Sequence, residues 1–111
     1  MTIHPNQALL QELLGDGFAS PEREYHARTD DFVAEIPQTG ERMTRDQLLQ
    51  RQHAFDPRPQ ATLRRLSGEG DHWAAELDID YGTQRSLAAV LVEFRNGRIA
   101  HETRYYATPS T

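Results

Sequence analysis

Cysteine and lysine are both missing from this 111-residue chain. Without cysteine there is no disulfide, no thiolate nucleophile and no cysteine-based metal site. Without lysine there is no Schiff-base chemistry and no phosphate-cradling lysine of a nucleotide-binding loop. All twelve basic side chains other than histidine are arginine, which fits GC-rich bacterial coding. No apolar run approaches the ~20 residues that span a bilayer. The leading MTIHPNQ lacks the basic-then-apolar build of a secretory leader, so a cytosolic location is expected. A net charge of −5 opposes nucleic-acid binding, which needs a cationic surface. The basic pair Arg64–Arg65 places its side chains on opposite faces of a strand. His26, His53, His72 and His101 have neither His-x-His nor His-x3-His spacing, so neither a metal nor another cofactor is expected. Leu66-Ser67-Gly68 lacks the glycine flanks of a nucleophile elbow, which excludes a serine–histidine–acid site.

What is present divides into helices followed by strands. Leu9, Leu10, Leu13, Leu14 and Phe18 recur at helical spacing over residues 5–18. Ser20-Pro21 opens a second helix, with Ser20 as N-cap, running toward Asp30 and burying Tyr25. A short strand over residues 32–36 stops at Pro37 and a turn at Thr39-Gly40. Thr44-Arg45-Asp46-Gln47 resembles a capping box, and the helix it opens ends at Pro57 and Pro59. From Ala61 onward the period is two, with strands over 61–66, 72–82, 86–94 and 98–106. Gly68-Glu69-Gly70-Asp71 and Asn96-Gly97 are the turns. The expected architecture is a single α+β domain over residues 1–111, its N-terminal helices packed on a strongly curved antiparallel sheet.

His72–Gly82 carries the most information. Trp73, Ala75, Leu77, Ile79 and Tyr81 fall on one face of this strand, and His72, Ala74, Glu76, Asp78 and Asp80 on the other. Successive carboxylates on one face stand about 6.6 Å apart at ~3.3 Å per residue. Taken alone, the acidic row is either a solvated face or the wall of a cavity.

The order of these elements, the Pro37-Gln38-Thr39-Gly40-Glu41 turn, and the Glu76…Asp80-Tyr81-Gly82 and Glu102…Tyr105-Tyr106 strands resemble the SnoaL-like polyketide cyclases of the nuclear transport factor 2-like superfamily. That superfamily of conical α+β domains also holds ketosteroid isomerases and limonene-epoxide hydrolases. The resemblance implies a sheet curled around a cone-shaped pocket for a small organic molecule. It places Glu76, Asp78 and Arg104 in the pocket as catalytic candidates. Tyr25, Ile36, Gln38, Val90, Val92, Glu102 and Tyr106 are the ligand-binding candidates. It also implies a homodimer through an outer sheet face of Trp73, Leu77, Ile79, Tyr81, Leu87, Leu91 and Tyr105. Where ketosteroid isomerases carry a general base this chain has Ile36, and near their second carboxylate it has Val90, so isomerisation of that type is not expected. Limonene-epoxide hydrolases place arginine and aspartate on one strand and a second aspartate on the last; here Glu76 and Asp78 share a strand and Arg104 stands on the last.

Three functions fit. The first is a cofactor-independent cyclase, isomerase or hydrolase, in which the Glu76–Asp78 pair divides acid and base roles and Arg104 holds an anionic oxygen. The second is a non-catalytic binding protein. The third is a dimeric interaction module. Glu41 and Arg42, after the turn, either rim the pocket or pair at the surface, and the surface is expected.

Overall fold

Residues 3–15, 19–55 and 58–108 are described by the computed structural model. Two helices come first, α1 (Pro5–Leu14) and α2 (Pro21–His26), followed by strands β1 (Arg28–Ile36) and β2 (Glu41–Thr44). Then come α3 (Arg45–His53) and four strands: β3 (Gln60–Glu69), β4 (His72–Asp80), β5 (Arg85–Arg95) and β6 (Arg98–Ala107). The helix starts follow their caps. Ser20 Oγ accepts from Arg23 N with Pro21 in the first turn. At α3 the full reciprocal box forms, Gln47 N donating to Thr44 Oγ1 at 3.2 Å and Thr44 N to Gln47 Oε1 at 2.9 Å. The expected α1 periodicity holds as far as Leu14; Phe18 lies outside the described residues.

All six strands form one sheet in the order β2-β1-β6-β5-β4-β3. It is α+β and curved as expected, but mixed, because β1 runs parallel to β6. This pairing also shortens α2. The helix expected to continue toward Asp30 stops at His26, because Arg28 is already opposite Ile99, and Ile99 N donates to Ala27 O at 2.8 Å. The tertiary strand pairing here overrides helical periodicity. Register shifts bend the sheet where one strand of a pair carries extra residues, β1 against β6, β3 against β4 and β6 against β5. Asn96 and Gly97, at φ 54° and 81°, make the tight β5–β6 turn that Asn-Gly encodes. Gly68 has no substitute: at φ 151° a Cβ would lie 2.3 Å from His72 O and against the Trp73 ring.

The register settles the faces. Trp73, Leu77 and Ile79 of β4 pair across with Val92, Ala88 and Ser86 of β5, and Val92, Val90 and Ala88 pair with Glu102, Arg104 and Tyr106 of β6. This face turns toward the helices and carries the core, with Leu10 and Leu13 of α1, Leu48 of α3 and Phe32 of β1 buried against it. Asn6 ties α1 to the β3–β4 turn, donating to Gly70 O at 2.9 Å, where Trp73 Nε1 also donates at 2.9 Å. Among the described residues no helix is long and apolar enough to cross a membrane.

Candidate functional site

Between the helices and the inner sheet face lies a cavity of about 380 Å³, within the range that small-molecule sites occupy. One wall is hydrocarbon: Leu10, Leu13 and Leu14 from α1, Leu48 from α3, Leu77 and Ile79 from β4. The other is a polar stripe along β6, where Glu102, Arg104 and Tyr106 recur every second residue on the inward face.

At the deep end of that stripe is a buried ionic cluster. Glu102 Oε2 accepts from Arg28 Nε at 3.2 Å and Nη2 at 2.9 Å, and Oε1 accepts from Arg104 Nε at 2.9 Å and Nη2 at 2.5 Å. Glu24 of α2 completes it, 3.6 Å from Arg28 and 3.3 Å from Arg58. Arg58 also donates to Ala19 O at 2.7 Å. The Arg28 guanidinium lies 5.0 Å from the Phe32 ring centroid, a cation–π contact that helps hold it in place.

The two carboxyls are driven apart. Burial alone would push Glu102 up, but Arg104 and Arg28 outweigh it and hold the carboxyl at about 2. Burial pushes Glu24 up, the neighbouring Glu102 adds to this, and Arg28, Arg104 and Arg58 oppose it. Burial disfavours the Arg104 charge, but Glu102 and Tyr106 raise its proton affinity overall. Tyr81, raised by burial and by Tyr106, keeps its hydroxyl proton at neutral pH. A firmly ionised carboxylate beside one biased toward its protonated form is the pattern that acid/base sites use.

Of the residues expected in the pocket, Arg104, Glu102, Tyr106, Ile36, Val90 and Val92 line the cavity. Ile36 and Val90 add hydrocarbon where the family resemblance would place carboxylates. Glu76 and Asp78 do not belong to it, which corrects the placement drawn from that resemblance. Both point from the outer face, Glu76 paired with Arg65 at 3.2 Å and Asp78 with Arg85. The reason is the period of two: with Val90 and Arg104 inward, β4 must turn Ala75 and Leu77 inward as well. The same reversal removes Trp73, Leu77, Ile79 and Tyr81 from the outer face assigned to a dimer contact; Leu91 and Tyr105 do lie there, 47% and 41% exposed. Gln38 lies outside the cavity and clamps the Tyr106 backbone, donating to its O at 2.8 Å and accepting from its N at 2.7 Å. Tyr25 also lies outside, under the Arg45 guanidinium 3.9 Å from its ring centroid.

Glu24, Arg28 and Arg58 did not stand out as sequence candidates. A weak signal existed for the first two, whose i,i+4 spacing after the Ser20-Pro21 start puts them side by side. Arg58 sits in a connection with no periodicity to read. Among the described residues no group of three or more histidines and carboxylates could hold a metal ion.

No protein-family model matches the sequence, and no curated protein does. Solved structures match closely and define the class: cone-shaped α+β domains of the nuclear transport factor 2-like (NTF-2-like) type. An NTF-2-like protein of unknown function from Burkholderia xenovorans is 31% identical, over 96% of this chain and 86% of that one, with a TM-score of 0.84. This chain belongs to the NTF-2-like family. A proposed ketosteroid isomerase from Kribbella flavida is similar at 24% identity, 96% and 81% coverage and a TM-score of 0.83. A proposed SnoaL-like polyketide cyclase from a Jannaschia species shares the fold at 11% identity, 92% and 85% coverage and a TM-score of 0.75.

Proposed function

We propose that this protein binds a small organic molecule in the cone and transfers a proton on it without a cofactor. Glu24 is the proton-carrying group, and the Arg28–Glu102–Arg104 core holds the site rigid. One observation carries the reading: a buried carboxyl of raised pKa stands in the lining of an otherwise largely apolar cavity, beside a carboxylate that two arginines keep ionised. A carboxyl raised above its ordinary value by burial holds a proton more readily than Glu102, which two arginines keep ionised. The isomerase and cyclase names of two structural relatives support chemistry on a small organic substrate.

The test is deuterium uptake from heavy water by a panel of enolisable ketones, read by mass spectrometry. Wild-type protein is expected to accelerate exchange on a ketone it binds, and Glu24→Gln to bind that ketone yet leave exchange at the background rate. Binding without exchange in the wild type would favour the second reading, a binding protein without turnover. The hydrocarbon at Ile36 and Val90 supports that alternative.

A homodimer through the outer sheet face is part of the proposal. Leu91 and Tyr105 are exposed there, with Leu87 and Ala89 beside them, and a contiguous apolar patch on a sheet is best covered by a second copy.

A further inference from the structure

We infer that the ligand of the cone is an organic acid, an apolar body bearing one carboxylate that seats on Arg104 and Tyr106. This rests on the reading that the cone holds a small organic molecule, and it names the class. Three features of the cavity point to it.

The first is which charge meets the open space. The side chains of Glu102 and Arg28 are 4% and 3% exposed, whereas Arg104 is 16% exposed and lines the cavity. Arg104 is therefore the member of the buried triad most open to an occupant. Its guanidinium plane is fixed in advance, because Nε and Nη2 both donate to Glu102 Oε1. A pre-oriented guanidinium matches the planar two-oxygen shape of a carboxylate.

The second is how the carboxylates around that group are shared. Glu102 answers both Arg28 and Arg104, and Glu24 lies by Arg28 and Arg58, so the carboxylate beside Arg104 is a shared one. A monoanion would complete its counter-charge, whereas a cationic ligand would meet an arginine in a poorly screened site.

The third is the division of the lining. Tyr106 follows Arg104 on the inward face of β6, and Tyr81 lies close enough for the two phenols to interact. Together these present hydroxyl and guanidinium donors along one side of the cavity. The opposite side offers leucine from α1 and α3, with Arg51 and Gln52 of α3 beside it. At the mouth the Phe55 and Tyr81 rings stand 6.1 Å apart, extending the apolar surface toward solvent. An amphipathic acid satisfies both sides at once; a neutral hydrocarbon leaves the donors unanswered, and a compact polar anion leaves the leucines wet.

Calorimetry on the full chain at pH 7 tests this with two matched pairs, 2-naphthoate against 2-naphthamide and decanoate against decanamide. Each pair keeps the apolar body and replaces the charged carboxylate with a neutral amide. Binding of at least one carboxylate about tenfold or more tighter than its amide is the expected result, and Arg104→Gln should bring the two within about threefold. Should that variant fail to fold, the double replacement Glu102→Gln/Arg104→Gln removes the pair together and is read in the same way. Amides binding as tightly as acids to the wild type would overturn the organic-acid inference and leave small-molecule binding standing. Failure of both members of both pairs, and of neutral ketones as well, would overturn both.

Discussion

Glu102 and Arg28 stand 74 positions apart in the chain and 2.9 Å apart in space. The contact joins the first strand to the last at the floor of the cone and shares its carboxylate with Arg104. A buried ion pair adds little net stability over a hydrocarbon replacement, but breaking one from a single side is costly. Glu102→Gln takes the buried counter-charge from Arg104 and leaves Arg28 with Glu24 alone. Its expected cost is about 3–5 kcal/mol in urea unfolding, and a loss below about 1 kcal/mol would mean the arginines find compensation elsewhere.

The same carboxylate sets an acid limb. Its pKa falls from 4.5 in the unfolded chain to about 2 in the fold, so the stability it contributes is full above pH 4.5 and lost as pH falls from there to about 2. The shift corresponds to roughly 3 kcal/mol. Unfolding curves across this window should show the drop in the wild type, and Glu102→Gln should flatten it.

Glu24 acts with the opposite sign. Its pKa is raised above 4.5 by burial and Glu102 against the pull of Arg28, Arg104 and Arg58, so its contribution is full below pH 4.5 and lost as pH rises through its folded value. Relative to wild type, Glu24→Gln should therefore gain stability as pH climbs from 4.5 through the folded value of Glu24. A difference that stays constant with pH would show that Glu24 titrates as in water.

The facing of β4 can be checked by mutation. Trp73 is buried with its Nε1 bonded to Gly70 O, and Trp73→Ala should cost about 3–5 kcal/mol. Glu76→Gln and Asp78→Asn remove partly solvated pairs on the outer face and should each change stability by less than about 1 kcal/mol, with ligand affinity unmoved. Loss of binding in either would return the acidic row to the cavity.

Leu91→Asp tests the outer face as a dimer contact. Sedimentation velocity should find a dimer for the wild type and a monomer for the variant, because Leu91 is exposed on the single chain and its replacement by Asp charges the contact. A wild-type monomer at micromolar concentration would sink the dimer proposal.

Much of the fold was legible because its signals are local. Ser20-Pro21, the Thr44…Gln47 box and Asn96-Gly97 each act through hydrogen bonds or dihedrals within a few residues. The site was legible only in part. On β5 and β6 the inward residues Val90, Val92, Glu102, Arg104 and Tyr106 follow from period two once one of them is placed. On β4 the family resemblance argued for acids inward, while the plain contrast of Trp73, Leu77 and Ile79 against Glu76 and Asp78 argued the reverse, and burial followed that contrast.

Residue order alone thus accounts for the absence of thiol and amine chemistry, the positions of the helix starts and hairpin turns, and which side chains share a strand face. Which face looks inward, and that Glu24, Arg28, Arg58 and Arg104 gather around Glu102, come from the folded chain. Those groups lie on α2, β1, β6 and the segment before β3, and they meet because β1 pairs with β6 and the helices close over the curved sheet. An ionic cluster of this kind depends on long-range strand pairing and on loss of water, and neither leaves a periodic trace in a sequence.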